Sequence, residues 1–137
     1  MAVFRFESSN LNGMIRKIEK YEKSEEVYIE AISSGQEIMR SAIESGARKH
    51  KRTGVMASSV KSSTPVQNRS SDWVGRVKFY GQDKKTKIPN WYKAIWLEYG
   101  TSKQKATPFV RPAIQNCESN INKKMQQVFD RKIGELE

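Results

Sequence analysis

The sequence predicts an α+β fold in which a long N-terminal helix and a C-terminal helix pack on a small antiparallel β-sheet. Apolar residues recur at steps of three or four over 11–50 and again over 113–133, which is the period of an amphipathic helix. Between them, residues 60–81 alternate apolar and polar residues around a turn, which is typical of a hairpin. A length of 137 residues favours a single domain, 1–137.

The first predicted elements are a short strand and the long helix. Phe4 and Phe6 alternate with polar neighbours over 3–7, which indicates a strand that joins the sheet. The helix over 11–50 is expected to bend at 33–35, because glycine costs about 1 kcal/mol relative to alanine inside a helix. Thr53 and Gly54 then end the helical pattern, and residues 56–60 are expected to form one short turn.

The hairpin is predicted to consist of strands 60–68 and 72–81. In the second strand, Val74, Val77 and Phe79 carry the apolar side of the pattern. Residues 68–72 are Asn-Arg-Ser-Ser-Asp, which are common turn residues. These residues therefore predict that the two strands pair antiparallel through a short polar turn.

The stretch that begins at residue 90 is predicted to form a short helix that ends abruptly at Gly100. Gly100 follows the last apolar residue, at the place where a helix commonly ends in a residue with positive φ. Four apolar residues fall on one side of this helix and are expected to be its packed face: Tyr92, Ile95, Trp96 and Tyr99. Glu98 is expected to pair with a nearby Lys or Arg.

A basic loop and a proline-framed corner come next. The loop 102–107 lacks bulky apolar residues, so we expect it to be mobile and to order on contact with a partner. Pro108 and Pro112 frame the corner, and Pro112 suits the first turn of the last helix, predicted over 113–133. Cys117 falls on the apolar face of that helix, where it is expected to be a small core residue.

Two blocks of the chain resemble a known family. One is Tyr-Lys-Ala-Ile-Trp-Leu-Glu-Tyr-Gly-Thr at 92–101 with Pro-Phe-Val-Arg-Pro-Ala at 108–113, and the other is Thr-Gly-Val-Met-Ala-Ser-Ser-Val at 53–60. They are similar to the motifs of the minor tail-component family of long-tailed bacteriophages, with Met56 and Val60 in place of the usual Leu and Ile. The motif residues are Thr53, Gly54, Trp96, Glu98, Tyr99, Gly100, Pro108, Phe109, Arg111 and Pro112.

The resemblance implies a structural virion protein at the head–tail junction, in the neck or as a tail-completion protein, with no enzymatic activity and no cofactor. Its copies would form a ring around the DNA channel, between connector or portal-side proteins and tail-tube or tail-terminator proteins. It would be made in the bacterial cytoplasm and located in the virion. The loop expected to meet these partners contains Thr101, Ser102, Lys103, Gln104, Lys105 and Thr107.

The net charge of +10 is concentrated in the middle of the chain. Residues 45–116 hold 15 Lys and Arg against 3 acidic residues, whereas the remainder holds 10 against 12. Such a field attracts phosphate backbones or acidic protein surfaces, although a solvated surface is the simpler interpretation. A basic nucleic-acid-binding protein is therefore the alternative function, with DNA contacts through Arg48, Lys49, Lys51, Arg52, Lys84, Lys85 and Lys87.

Catalytic and metal-binding patterns are missing from the sequence. His50 is the single histidine and Cys117 the single cysteine, and the expected core position of Cys117 disfavours a nucleophilic pair. No metal-ligand spacing or glycine-rich phosphate loop occurs. A toxin-like hydrolase, the third class, would need activity that disappears when His50 or Cys117 is replaced. The sequence contains no run of 18 apolar residues, so it predicts no membrane span.

Overall fold

The computed structural model of the chain describes residues 4–6, 24–50, 54–70 and 72–136. These residues form a long helix near each end of the chain and a small antiparallel sheet, which confirms the predicted α+β class. In chain order the elements are β1 (Phe4–Phe6), α1 (Ser24–Arg48), α2 (Val55–Ser58), β2 (Val60–Ser62), β3 (Val66–Gln67), β4 (Trp73–Phe79), α3 (Asn90–Tyr99) and α4 (Val110–Leu136). The part of the predicted N-terminal helix over 11–23 lies outside the described residues.

The sheet is antiparallel and centred on β4. β1 pairs with one side of β4, with Phe4 opposite Val77, and β2 pairs with the other, with Val60 opposite Phe79. β3 pairs with the start of β4 through the predicted turn, in which the side chain of Asn68 accepts two main-chain N–H groups. The hairpin and the joining of β1 are confirmed, but the predicted strand 60–68 is interrupted at 63–65.

α1 and α4 pack against each other at close range around Gly35. A Cβ added to Gly35 would lie 2.8 Å from Sδ of Met125 and 3.1 Å from Cγ2 of Ile121. At the predicted bend, 33–35, α1 is not interrupted and continues through Gly35. The helix–helix packing that the missing side chain permits offsets the low helix propensity of glycine.

α1 is joined to the sheet by a buried amide. Nε2 of Gln36 donates to the carbonyl oxygens of Ser63, at 2.9 Å, and Arg76, at 3.1 Å. Gly75 makes this approach possible, since a Cβ there would lie 2.5 Å from Cδ of Gln36 and 2.6 Å from Cγ2 of Ile32. Gln36 therefore connects α1 to Ser63, the residue that follows β2, and to Arg76 of β4.

The hydrophobic core lies between α1, α4 and the sheet, and it includes Cys117 as predicted. Its buried members are Ile32, Met39, Ile43, Ala47, Ala57, Val60, Val77, Phe79, Ala94, Phe109, Val110, Cys117, Ile121 and Met125. Towards the end of α4, Glu30 of α1 pairs with Arg131 at 2.5 Å and with Lys132 at 2.9 Å. At the same end of the helix pair, Val27 and Tyr28 of α1 form a buried cluster with Phe129 of α4.

Candidate functional site

Glu98 binds the first turn of α4 through its carboxylate. Oε2 accepts the main-chain N–H groups of Phe109 and Val110, both at 2.9 Å, and Oε1 accepts that of Arg111 at 3.0 Å. The Glu98 residue is only 6% exposed. A carboxylate at a helix N-terminus is stabilised by these amides and by the helix dipole. We call this arrangement the Glu98 clamp.

Proline completes the hydrogen bonding of the same turn. α4 begins at Val110, so Pro112 is its third residue and has no N–H to satisfy. The next N–H, that of Ala113, donates to the carbonyl of Phe109 at 3.3 Å. Pro112 thus lies in the first turn as predicted, but the helix starts earlier than the predicted 113. Glu98 pairs with main-chain amides, not with the Lys or Arg that the sequence suggested.

Gly100 ends α3 and allows the chain to return towards α4. Its φ is 78° and its ψ is 175°, a conformation that L side chains rarely adopt. A Cβ at this position would lie 2.8 Å from the main-chain nitrogen of Ala106 and 3.0 Å from the carbonyl oxygen of Gln104. Both the angle and the space therefore require glycine, and the predicted helix stop at Gly100 is confirmed.

The loop after Gly100 is held by hydrogen bonds within the chain. The N–H of Thr101 donates to the carbonyl of Gln104 at 2.8 Å, and the N–H of Thr107 donates to the carbonyl of Leu97 at 2.8 Å. The expectation that this loop orders on contact with a partner stays a prediction. All six residues predicted for partner contact are exposed: Thr101, Ser102, Lys103, Gln104, Lys105 and Thr107.

The buried face of α3 differs from the predicted one. Asn90, Ala94 and Glu98 are buried, whereas Tyr92 is 43% exposed and Tyr99 is 75% exposed. The prediction that Tyr92, Ile95, Trp96 and Tyr99 form the packed face is wrong. Seven of the ten residues of α3 are apolar, so spacing alone could not select the buried side. The polar side chains select it, because Glu98 binds α4 and Asn90 donates to the carbonyl of Tyr80 at 2.8 Å.

Three aromatic rings of α3 lie together, of which Tyr92 is exposed and Trp91 and Trp96 are half-buried. The rings of Tyr92 and Trp96 pack edge to face with their centroids 4.8 Å apart, and those of Trp91 and Tyr92 lie 5.2 Å apart. Trp96 is half-buried, and Pro108, Arg111 and Pro112 are exposed. In the second motif block, Gly54 directly precedes α2 and has a φ of 79°. Thr53 lies outside the described residues.

Of the seven predicted DNA-facing residues, one forms an ion pair, four are exposed without one, and two lie outside the described residues. Arg48 forms a salt bridge with Glu44 at 2.5 Å. Lys49, Lys84, Lys85 and Lys87 are exposed, and none of these four forms an ion pair with another described residue. Lys51 and Arg52 lie outside the part of the chain that the structure describes.

Asp83 organises the loop that carries three of these lysines. Its Oδ2 accepts from Nζ of Lys93 at 2.6 Å, and its Oδ1 accepts the main-chain N–H groups of Lys85 and Thr86. The hydrogen bond from Lys93, followed by the two main-chain bonds, lowers the pKa of Asp83 to about 2. The loop is thereby fixed in a turn in which Lys87 has a φ of 61°.

A groove of about 640 Å³ brings several predicted segments together, and we call it the α2–α3 groove. Four segments surround it: the end of α1, α2, the loop over 83–88, which we call the Asp83 loop, and α3. The groove also reaches the loop after Gly100. Its lining residues are Ala47, His50, Gly54, Met56, Ala57, Asp83, Lys85, Thr86, Ile88, Lys93, Trp96, Leu97 and Gln104. No signal in the sequence indicated that these segments share one cavity.

A second cavity of about 290 Å³ is lined by both His50 and Cys117. The His50 ring packs on Phe109 with the centroids 5.7 Å apart, and the thiol of Cys117 donates to the carbonyl of Ile114 at 3.6 Å. Burial raises the pKa of the Cys117 thiol, which disfavours the thiolate that nucleophilic chemistry needs. His50 and Cys117 thus share a cavity, but this geometry does not activate the thiol.

Comparisons of the chain with models of protein families, with curated proteins and with solved structures find no match. Over the described ranges, no cluster of His, Cys, Asp and Glu could hold a metal ion. None of the helices in those ranges is long and apolar enough to cross a membrane. A functional assignment therefore depends on the resemblance of the two sequence blocks and on the geometry of the site.

Proposed function

We propose that this chain is a non-enzymatic structural subunit of a bacteriophage virion at the head–tail junction, either a neck or a tail-completion protein. The observation that carries the proposal is the Glu98 clamp. It joins the two halves of the motif that resembles the phage family, because Glu98 and Gly100 of one half fix the position of Phe109, Arg111 and the following helix in the other. The motif thus builds one rigid corner that displays a loop.

The displayed loop has the properties of a docking element. Lys103 and Lys105 are exposed on a turn that is already hydrogen-bonded, so less conformational entropy is lost when a partner binds. Tyr99, which precedes the loop in the chain, has an exposed ring. Tyr is enriched in protein interfaces, and the exposed lysines of the loop can complement an acidic patch of a partner. A contact between unlike surfaces of successive copies would generate a ring.

In this proposal the copies form a homo-oligomeric ring around the DNA channel. One side of the ring meets the connector or portal-side proteins, and the other meets the tail-tube or tail-terminator proteins. DNA passes through the ring without sequence-specific contacts, attracted by the excess of basic residues in the middle of the chain. The location is then the tail or neck of the virion.

The experiment that tests the proposal compares assembly of the wild-type protein with that of a Lys103→Glu/Lys105→Glu double variant. Native mass spectrometry and electron microscopy are applied to each protein alone and after addition of a portal connector. We expect rings for the wild type and none for the double variant, with unchanged circular dichroism. A Lys123→Glu/Lys124→Glu variant, which alters two exposed lysines of α4, is the matched control and should still assemble.

The proposal would be contradicted if the wild type formed no ring both alone and with the connector. It would also be contradicted if the wild type and the loop variant assembled equally.

The alternative function, a basic nucleic-acid-binding protein, is favoured by one observation. Lys84, Lys85 and Lys87 on one loop and Lys103 and Lys105 on another lack ion-pair partners among the described residues. A monomer or dimer that binds duplex DNA with a steep inverse dependence on salt would support this alternative.

A further inference from the structure

The α2–α3 groove has an apolar floor that the fold leaves accessible. Five aliphatic or thioether residues line it: Ala47, Met56, Ala57, Ile88 and Leu97. Met56, Ile88 and Leu97 are only half-buried, as is the indole of Trp96 beside them. A concave surface of this size and composition is typical of sites that receive the side chains of a bound molecule.

Two loops that contribute lining residues to the groove also carry lysines without ion pairs in the described part of the chain, and one of these lysines, Lys85, lines the groove itself. One loop is the Asp83 loop with Lys84, Lys85 and Lys87, and the other is the loop that contributes Gln104, between Lys103 and Lys105. All five lysines are exposed, and among the described residues none of them forms an ion pair.

The acidic residues nearby are already engaged. Asp83 binds Lys93 and two main-chain N–H groups, and Glu98 is buried in the clamp to α4. Neither carboxylate is available to compensate the lysines. The groove therefore combines an apolar floor with the unpaired charge of Lys85, and exposed lysines precede or follow lining residues in the chain on both loops. A complementary ligand needs apolar groups flanked by negative charge.

We propose that the α2–α3 groove binds a segment of another protein whose large apolar side chains are flanked by Asp or Glu. Trp96, Met56 and Leu97 contact the apolar side chains of the segment. Lys85 and the neighbouring lysines contact its carboxylates. The proposal goes beyond the ring function, because such a groove binds a segment of this kind whether or not the chain forms a ring.

A peptide segment fits the groove better than a nucleic acid does. Bases of single strands bind by stacking on ring faces. Among the described residues, only His50 and Trp96 contribute rings to the lining, against five aliphatic or thioether residues. Tyr92 already packs edge to face with Trp96, which reduces the ring area available for stacking. Aliphatic and thioether floors are typical of grooves that bind amphipathic protein segments.

The test begins with a display library of randomised twelve-residue peptides that is selected on the purified full-length protein. We expect enrichment of peptides that combine Leu, Ile, Phe or Met with Asp or Glu. One enriched peptide is then synthesised, and its affinity is measured by fluorescence anisotropy. We expect Trp96→Ala and Lys85→Glu each to weaken its binding about tenfold, which is the effect of losing one strong contact.

Two matched controls alter the same residue types outside the groove lining. Tyr99→Ala removes an exposed aromatic ring of α3, and Lys61→Glu reverses an exposed charge on β2. Both variants should bind the peptide within about twofold of wild type, since they lie outside the lining. Because Trp96→Ala could lower stability, Lys85→Glu and peptide-induced NMR shifts of the wild-type protein provide the independent readouts. We expect those shifts at Met56, Ile88 and Leu97.

Several results would overturn the proposal. They are a selection without enrichment, enrichment of basic or uncharged peptides, NMR shifts that avoid the groove, and binding that depends on Tyr99 and not on Trp96. A twenty-nucleotide oligothymidine that displaces the peptide and binds more tightly would identify single-stranded nucleic acid as the occupant. Self-association that Lys85→Glu abolishes would identify a second copy as the occupant. Absence of a ring in electron microscopy would contradict only the proposed function.

Discussion

The main-chain N–H of Phe109 donates to Oε2 of Glu98 at 2.9 Å from eleven positions further along the chain. This hydrogen bond fixes where α4 begins relative to where α3 ends. Three main-chain groups share the same carboxylate, so the loop between the two helices is closed at its base. The loop residues can therefore vary in sequence without loss of the corner that presents them.

The clamp predicts a large effect of a nearly isosteric change. Glu98→Gln removes the charge and directs an NH₂ group at main-chain N–H donors, so the free energy of unfolding should fall by about 1.5–3 kcal/mol. Urea denaturation followed by circular dichroism measures this difference. Glu118→Gln, which alters an exposed carboxylate on α4, should change stability by less than about 0.5 kcal/mol. Equal effects of the two changes would mean that the clamp does not stabilise the fold.

Two glycine positions should respond to alanine with opposite signs. Gly100→Ala introduces a Cβ 2.8 Å from a main-chain nitrogen at a φ of 78°, so we expect a loss of about 1–3 kcal/mol. Gly134→Ala places a Cβ in open space within α4, and we expect a gain of about 0.5–1 kcal/mol from helix propensity. Thermal and urea unfolding of both variants check the signs. A stabilised Gly100→Ala variant would contradict the packing described here.

The elements that have a clear period could be predicted from the sequence, and those that depend on distant partners could not. The repeat of apolar residues indicated α1 and α4, and alternation indicated β4. The carboxylate of Glu98 and the amide of Gln36 find their main-chain partners 11 to 40 positions away, which no local pattern encodes. Gly35 suggested a bend because propensity is local, whereas its function in the structure is to admit Met125.

Gln36 should be far more important for stability than an exposed glutamine. Gln36→Ala leaves a cavity under the sheet and removes the donor from the Ser63 carbonyl, so we expect a loss of about 2–4 kcal/mol. The Arg76 carbonyl keeps the N–H of Ser63 at 2.9 Å. Gln127→Ala on the exposed face of α4 is the matched control. Similar unfolding midpoints of the two variants in guanidinium chloride would refute the importance of the buried amide.

Asp83 should make stability depend on pH in the acid range. Its pKa is lowered to about 2, below its ordinary value of about 3.9, so the carboxylate stabilises the folded state fully above the ordinary pKa. This contribution is lost as pH falls towards 2. Asp83→Asn should therefore be less stable than wild type at pH 7, and the difference should shrink between about pH 4 and pH 2.

The ion pair of Asp83 with Lys93 can be tested separately from its main-chain hydrogen bonds. Thermal unfolding of Asp83→Asn, Lys93→Met and the double variant at pH 7 forms a double-mutant cycle. Because the hydrogen bond from Lys93 is the first cause of the lowered pKa, we expect the two changes to be non-additive. Strict additivity, or a stability difference that persists at pH 2, would show that this pair does not hold the loop.

Phe109 and Trp96 should differ in their effects although both are large aromatic residues of the motif. Phe109 is buried against Phe79, with their ring centroids 6.0 Å apart at 77°, so Phe109→Ala should cost about 3–5 kcal/mol and leave little folded protein. Trp96 is half-buried at the groove, so Trp96→Ala should cost less and keep the native circular dichroism. Urea titration of both variants decides the order. If Trp96→Ala is the more damaging change, Trp96 belongs to the core and is not available to a ligand.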